Sequence, residues 1–189
     1  MLDAIGICGL PGSGKTALSD KLSDHYGWRV RTMGDLCRES YKEWKSKNSA
    51  RTGVSFEDYW AHIFKDSDII RINKEAKKLL ENGNMILDSR YLAVNCMGLK
   101  NVAKVFVTAP LDIRVKRAIG NPKYIDKSIE EIEKIMKERE EDELRRGKEL
   151  YSITLNEEYD YRNPKYFHIV LDSSKKSIDE EVEVVRSFL

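Results

Sequence analysis

Residues 7–19 read ICGLPGSGKTALS, in which a glycine-rich bend separates an apolar run from a helical pattern. The eight residues 9–16 fit the pattern G-x-x-x-x-G-K-[ST]. Glycines in such a bend let successive backbone N–H groups point inward and approach phosphate oxygens. A helix that begins near Lys15 would add the positive end of its dipole. The segment therefore predicts a nucleoside triphosphate site, although it identifies no acceptor.

Each polar residue of this loop has an expected role. Lys15 would bridge the β- and γ-phosphates, and the Thr16 hydroxyl would hold Mg²⁺. The alternative is a glycine turn that merely leads into a helix, but a match at all eight positions in this context argues against it. The predicted triphosphate-binding residues of the loop are Gly9, Pro11, Gly12, Ser13, Gly14, Lys15 and Thr16.

Apolar, β-branched runs alternate with helical patterns along the rest of the chain. Strands are predicted at 4–8, 28–32, 85–88, 103–108 and 167–172, and helices at 16–26, 110–118 and 128–151. Short strands without polar alternation, separated by helices, indicate an α/β fold with a parallel sheet covered on both faces. Ligands of such sheets bind beyond the carboxyl ends of the strands.

Composition excludes several classes of protein. The 33 lysine and arginine residues nearly balance the 32 aspartate and glutamate residues, for a net charge of +1. This balance argues against nucleic-acid or membrane binding through global charge. Three scattered cysteines predict reduced thiols and no zinc site. No apolar run approaches the roughly 20 residues that span a bilayer, so we expect a cytoplasmic protein.

Five segments together resemble the nucleoside monophosphate kinases, and within them the short archaeal-type cytidylate kinases. The segments read GLPGSGKT, TMGDLCRE, LDSR, VTAPLDIRVKR and KEREEDELRRGKELY, and the resemblance extends over nearly the whole chain. It implies a three-layer P-loop kinase fold with a five-stranded parallel sheet in a single domain, 1–189. It also implies a monophosphate-binding insertion at 34–80 and a lid region at 120–155.

The same resemblance implies an activity: Mg²⁺-dependent transfer of a phosphoryl group from ATP to a nucleoside monophosphate, with CMP or dCMP as the expected acceptor. ATP and the monophosphate are then the only partners expected, and the protein is expected to be a monomer or a weak dimer. Within TMGDLCRE, Arg38 would contact the acceptor phosphate and Asp35 is a further acceptor-binding candidate, as is Arg51 in the later segment RTGVSFEDYW. Without the resemblance, Arg38 would be read as a solvated arginine.

The segment LDSR places two charged side chains just after a predicted strand. Asp88 ends that strand, where a carboxylate can hold Mg²⁺ through water close to the first loop. Arg90 can clamp the acceptor phosphate bidentately, as a planar guanidinium does well. Archaeal-type cytidylate kinases usually read Glu-Gly-Arg where this chain has Asp88, Ser89 and Arg90. The change from glycine bears on base selection more than on phosphate binding. The alternative is an aspartate that simply ends a strand.

One face of the helix predicted from residue 128 changes from apolar residues to arginines along its length. Ile129, Ile132, Ile135 and Met136 form an apolar stripe, which continues at helical spacing onto Arg139 and Arg146. We therefore expect arginines on the face that meets the body, where they would need an anionic partner. The pattern R-[DE]-x-x-[DE]-x-x-R resembles the lid of cytidylate kinases and implies catalytic roles for both. An exposed, charge-laced helix is the alternative, and Arg145 is a weaker candidate.

The helix predicted at 110–118 carries Arg114 and Arg117, which share a face. The resemblance implies that an arginine of this region contacts the donor or lid phosphates, and Arg117 is the candidate. The family often has a further basic residue where this chain reads GNPKY, at 120–124. The hinge into the lid is therefore a departure from the family pattern.

Other functions are compatible with parts of the pattern. A kinase with another acceptor, such as AMP, UMP or a small metabolite, would keep the loop and the lid. A nucleotide-binding switch with slow ATP hydrolysis would need the loop and a metal-binding acid, but not Arg38 and Arg90. An RNA-associated factor with a kinase-like fold is a third alternative, against which the balanced charge argues.

Overall fold

The computed structural model describes residues 2–51 and 53–189. A parallel five-stranded sheet lies at the centre of the molecule, with strand order β2-β3-β1-β4-β5. The strands are β1 (Ala4–Gly9), β2 (Arg29–Thr32), β3 (Met85–Asp88), β4 (Val102–Thr108) and β5 (Ile169–Asp172). The predicted α/β fold is confirmed, because apolar strands of this kind are stable only when both faces of the sheet are covered.

Eight helices connect and cover the strands in the described part of the chain. They are α1 (Lys15–Tyr26), α2 (Met33–Lys47), α3 (Phe56–Asp58), α4 (Asp66–Glu81), α5 (Leu92–Asn95), α6 (Leu111–Ala118), α7 (Ile129–Leu155) and α8 (Ile178–Arg186). A π-helical turn, Tyr59–Ile63, follows α3, and 3₁₀ turns lie at Pro122–Tyr124 and Pro164–Tyr166. No helix among the described residues combines the length and apolarity needed to cross a membrane.

Alternate residues of β1 belong to two separate hydrophobic cores, one on each face of the sheet. Ile5 and Ile7 of β1 pack with Leu18 of α1 and Val185 of α8 on one face of the sheet. Ala4 and Cys8 point to the other face, where the cluster draws on α4, α5 and the tyrosines Tyr151, Tyr159 and Tyr161. The period-2 geometry of a strand produces this division. The three cysteines, Cys8, Cys37 and Cys96, are free and buried.

Helix α7 begins after Ser128 as predicted, but it differs from the prediction in its C-terminal end and in its apolar stripe. It extends to Leu155 rather than 151, because Tyr151 is part of the core and Leu155 packs against it. Ile132 and Met136 are buried against α6 and Tyr124, whereas Ile129 is 55% exposed and lies outside that cluster. The apolar stripe therefore begins one turn later than predicted.

A buried glycine fixes where α7 meets the body. A Cβ atom at Gly147 would lie 3.1 Å from the Tyr159 ring and 3.2 Å from the Tyr91 ring. Both rings are buried, so a larger side chain would have to displace them. This contact explains a glycine within a 27-residue helix, where it costs about 1 kcal/mol relative to alanine. The second half of α7 is thus anchored beside the end of β3.

Candidate active site

The predicted phosphate-binding loop connects β1 to α1 at the carboxyl edge of the sheet. Gly9 has a φ of 150°, and a Cβ there would lie 2.0 Å from the carbonyl oxygen of Val107. Gly14 precedes α1 with a φ of 95°, in the left-handed region. Both positions need glycine, the first because β4 approaches closely and the second because of its backbone angle. The loop therefore presents its backbone beside the first turn of a helix.

Lys15 lies inside this loop rather than projecting from it. Its Nζ donates a hydrogen bond to the carbonyl oxygen of Leu10 at 2.9 Å, and the residue is only 8% exposed. Burial, together with the nearby charge of Arg90, lowers the pKa of Lys15 to about 8. An ammonium group with few water contacts is stabilised by an adjacent anion. The geometry is that of a site which binds phosphate oxygens.

Two residues from separate segments brace the outer side of the loop. Ser173, just after β5, donates its hydroxyl to the carbonyl oxygen of Ser13 at 2.7 Å. Arg117 donates to the Ser173 hydroxyl at 2.7 Å, to the Ser173 carbonyl at 2.8 Å and to the Ser13 carbonyl at 3.3 Å. Arg117 thus lies against the loop. Ser173 was missed in the sequence, where only its position after the last strand could have indicated it.

Arg114 holds the loop to α7. It is 5% exposed and donates to the carbonyl oxygens of Ala109, at 2.9 Å, and Pro11, at 3.1 Å. It also forms an ion pair with Glu140 of α7. A buried guanidinium with this many partners is fully compensated, so its role is structural.

Arg90 joins the end of β3 to the loop and to α7. It donates to the carbonyl oxygen of Gly9, and its Nε lies 3.1 Å from Glu143 Oε2. Glu143 in turn accepts a hydrogen bond from Arg139 Nε at 2.9 Å. Although burial opposes its charge, the Glu143 carboxylate raises the pKa of Arg90. The acids of the lid-like pattern therefore hold arginines in place, a function that the pattern alone did not reveal.

A cleft of about 810 Å³ opens between α7 and the segment from α2 to α4. The lining contains six basic residues, Arg38, Arg90, Lys123, Arg139, Arg145 and Arg146, and three acidic residues, Glu138, Asp142 and Glu143. The segment from α2 to α4 contributes a mainly apolar wall, with Cys37, Phe56, Trp60, Phe64, Ile69 and Ile72. The volume lies within the range of roughly 300–1,000 Å³ that is usual for small-molecule sites. A cleft with this lining suits a ligand with an anionic end and a flat apolar body.

The two sides of the cleft touch through one contact between aromatic and cationic groups. The guanidinium carbon of Arg146 lies 5.9 Å from the Trp60 ring centre, and Trp60 stacks on Phe64 at 4.5 Å. Cation–π contacts of this kind contribute about 0.5–1 kcal/mol at exposed sites. They are weak enough for α7 and the facing segment to separate or close.

A profile described as "AAA domain" matches residues 5–145 of the chain. The chain is 34% identical over 184 residues to the cytidylate kinase of Methanosarcina acetivorans, covering 96% of this chain and 93% of that one. It is 30% identical to the cytidylate kinase of Methanopyrus kandleri, with coverages of 97% and 91%. The chain belongs to the cytidylate kinase family of P-loop kinases. It is an ATP-dependent kinase.

Solved structures agree with this fold. An uncharacterized protein from Eubacterium ventriosum superposes with a TM-score of 0.69 at 16% identity, covering 100% of this chain and 98% of that one. The shikimate kinase of Acinetobacter baumannii superposes with a TM-score of 0.56 at 14% identity, with coverages of 100% and 93%. At these identities the likeness concerns the fold alone. The predicted family and the three-layer P-loop kinase fold are confirmed, and the switch and RNA-associated alternatives are not favoured.

Several predicted residues of this cytidylate kinase relative converge on the cleft and its loop. Thr16 is exposed in the first turn of α1. Asp88 lies at the carboxyl end of β3, which pairs with β1 so that Asp88 is opposite Ile7. Arg38 lines the cleft and donates to Asp35 at 2.7 Å. Partial burial opposes ionisation of Asp35, but hydrogen bonds from Thr32 and Arg38 lower its pKa overall.

Two expectations about the cleft need revision, and one cleft residue was not predicted. Arg51 is exposed in a turn after α2 and does not line the cleft, so nothing brings it to the other candidates. Arg139 does not lie against the body: its side chain is 43% exposed, because this part of α7 spans the open cleft. Lys123, in the hinge segment that departs from the family pattern, was not predicted but also lines the cleft. Burial and the charge of Arg139 lower its pKa.

Proposed function

We propose that this protein transfers the γ-phosphoryl group of ATP to CMP and dCMP. The observation that carries the proposal is the contact series from Gly9 through Arg90 and Glu143 to Arg139. It joins the triphosphate loop, the end of β3 and α7 at one cleft. The named relatives, which are cytidylate kinases over almost their whole length, support the choice of acceptor.

The donor would lie in the loop, with Lys15 and the backbone N–H groups on its β- and γ-phosphates. Arg117 would support the same end from outside. Thr16 and Asp88 would hold Mg²⁺, since a hydroxyl and a carboxylate are the oxygen ligands that this ion prefers. Mg²⁺ usually binds through one or two protein groups and the substrate phosphates, whose charge it would neutralise here.

The acceptor would lie across the cleft, in a monophosphate-binding insertion at 34–80. Arg38 and Arg90 would hold its phosphate in line with the donor, because a guanidinium binds two phosphate oxygens at once. The apolar wall around Trp60 would receive the base. Arg51 could reach the acceptor only if the insertion moved, and it is not part of this proposal.

A lid at 120–155 would complete the site. Arg139, Arg146 and Lys123 would surround the phosphoryl group in flight and stabilise charge on its equatorial oxygens. Positioning and electrostatics provide most of the catalysis in such a transfer, since the protein has little covalent chemistry to perform. Closure of lid and insertion together would exclude water, which would otherwise take the phosphoryl group.

An acceptor panel tests this function directly. The purified protein is incubated with ATP, Mg²⁺ and one of CMP, dCMP, UMP, AMP or shikimate, and the phosphorylated acceptor is separated from ADP by chromatography. We expect kcat/KM for CMP or dCMP to exceed that for AMP by at least about tenfold, since one net hydrogen bond contributes about 0.5–1.5 kcal/mol and about 1.4 kcal/mol corresponds to tenfold. The Lys15→Met variant serves as a control for contaminating kinases. Turnover of shikimate alone would overturn the proposal.

The lowered pKa of Lys15 predicts how ATP binding depends on pH. Below about pH 8 the ammonium is charged and ready to bind phosphate, whereas above it the free enzyme holds a neutral amine. Binding must then take up a proton, so ATP affinity should fall about tenfold between pH 7 and pH 9. Titration calorimetry in Mg²⁺ buffers measures this. Lys15→Arg stays charged throughout and should lose the dependence. A dissociation constant that stays within twofold for the wild type would contradict the assignment.

A further inference from the structure

A chain of buried polar side chains runs from the end of β3 to α7. The Ser89 hydroxyl donates to Asn95 Oδ1 in α5. Asn95 Nδ2 donates to Asn73 Oδ1 in α4 at 2.7 Å and to the Asn73 carbonyl at 3.2 Å. Asn73 Nδ2 donates to the hydroxyl of Tyr151 in α7 at 2.7 Å and to the Ile69 carbonyl at 2.8 Å. All four side chains are buried.

The directions of these bonds are mutually consistent. The Ser89 oxygen accepts the backbone N–H of Tyr91 at 3.2 Å while its own proton goes to Asn95. Each asparagine uses its oxygen once and its nitrogen twice. A buried amide that loses a partner is destabilised by about 1–3 kcal/mol. Each member of the chain therefore depends on the next, and one conformation is strongly favoured.

The series of hydrogen-bonded side chains begins at Ser89, in the turn that carries the two charged residues of the site. Ser89 stands between Asp88 and Arg90, and its backbone N–H donates to the Ile7 carbonyl at 2.9 Å. With the N–H of Tyr91 also bound, both flanks of Arg90 are fixed. Arg90 can then reach across to the carbonyl oxygen of Gly9 and to Glu143.

The other members lie in the two segments that border the cleft. Asn73 belongs to α4, on the side of the apolar wall, and Tyr151 to α7, which carries Arg139 and Arg146 of the cleft. The two are 78 residues apart in the chain. An apolar core of the same shape could be equally stable, because the net contribution of a buried hydrogen bond is small. Because hydrogen bonds are directional, these polar side chains fix the position of the turn relative to both α4 and α7.

We infer that Asn95 and Asn73 are positioning residues for the acceptor phosphate, which act through Ser89 on the turn that carries Arg90. The inference rests on the proposed function insofar as Arg90 is taken to bind the acceptor. It assigns a role to the serine that stands where archaeal-type relatives usually have glycine. In this protein the Ser89 hydroxyl restricts the backbone of the turn through its hydrogen bond to Asn95 of α5.

The test separates positioning from stability. Asn95→Ala leaves the Ser89 hydroxyl and Asn73 without their shared partner. We expect KM for the monophosphate to rise about tenfold and KM for ATP to change less than twofold. Cys96→Ala is the matched control, because Cys96 is the next residue, is buried and makes no side-chain hydrogen bond among the described residues. It should lower the melting temperature and leave both KM values unchanged.

A second variant keeps the test decisive if Asn95→Ala does not fold. Ser89→Ala removes only the hydroxyl and keeps the Cβ atom, so it does not add the backbone freedom of a glycine. It should raise KM for the monophosphate in the same way, and amide hydrogen exchange at residues 89–91 should become faster in both variants. If KM for ATP and for the monophosphate rise equally, or if neither changes while exchange stays slow, the inference is overturned.

The acceptor used in these measurements is the one that the wild-type panel identifies. A wild type that prefers another monophosphate would contradict the proposed acceptor and leave the KM comparison intact. The exchange measurement uses the free protein, so it reports on the turn even without turnover. Failure of the proposed function and failure of this inference are thus distinguishable.

Discussion

Replacing Lys15 with methionine should lower kcat/KM for ATP by about 10²–10³-fold, the usual loss when one preorganised donor to developing charge is removed. Methionine has a similar length and no charge, so it should fit the buried site. The loss should be large because Lys15 is held inside the loop by the Leu10 carbonyl and has few water contacts. Its interaction with phosphate is correspondingly little screened.

Steady-state assays with the preferred monophosphate at saturation measure this effect. Lys21→Met is the matched control: it changes the same residue type on the same helix, where Lys21 is exposed and lies 3.5 Å from Asp179. It should remain within about twofold of wild type, as surface ion pairs of this kind contribute little. If Lys15→Met retained more than a tenth of the wild-type activity, the donor would not bind as proposed.

Arg146→Ala should reduce kcat by about 10³-fold, at the lower end of what an arginine that reaches the transferring phosphoryl group contributes. The dissociation constant for ATP should change far less, because the loop and Lys15 hold the donor. In the described structure Arg146 lies over Trp60, so only a weak contact must be given up before the arginine turns to the phosphates.

Single-turnover kinetics and calorimetric ATP binding separate the two quantities. The neighbouring Arg145 provides the comparison, since its guanidinium is exposed and paired with Asp142 and Glu149, both at 3.2 Å. Arg145→Ala should retain kcat within about threefold, because exposed pairs of this kind contribute little. A kcat for Arg146→Ala that stayed within about twofold of wild type would show that the lid assignment is wrong.

Much of the fold followed from short-range patterns. Met85–Asp88 begins and ends where its apolar run does, and the loop of residues 9–16 lies between β1 and α1 as its glycines require. The boundaries that moved are those where distant contacts decide. Residues 167 and 168 were expected in β5, which begins at Ile169. Phe167 instead packs at a tilt against Phe106, with ring centres 5.0 Å apart.

The basic residues of the site were easier to predict than their partners. Arg38, Arg90, Arg139 and Arg146 all line the cleft. Lys123 was missed because the hinge that carries it departs from the family pattern. The pairing of Glu143 with both Arg90 and Arg139 was also missed. The sequence of a helix with many charges does not show which acidic residue pairs with an arginine of another segment.

The amino-acid sequence by itself determined the elements, the phosphate-binding loop and the kinase family, because these depend on residue type at fixed short spacings. Only the tertiary structure decided which charges meet, which face of α7 looks into the cleft, and that Asn73, Asn95 and Ser89 form one chain. Hydrogen bonds and ion pairs act over a few ångströms between segments far apart in sequence. Their partners are therefore set by how the helices pack on the sheet and not by any local pattern.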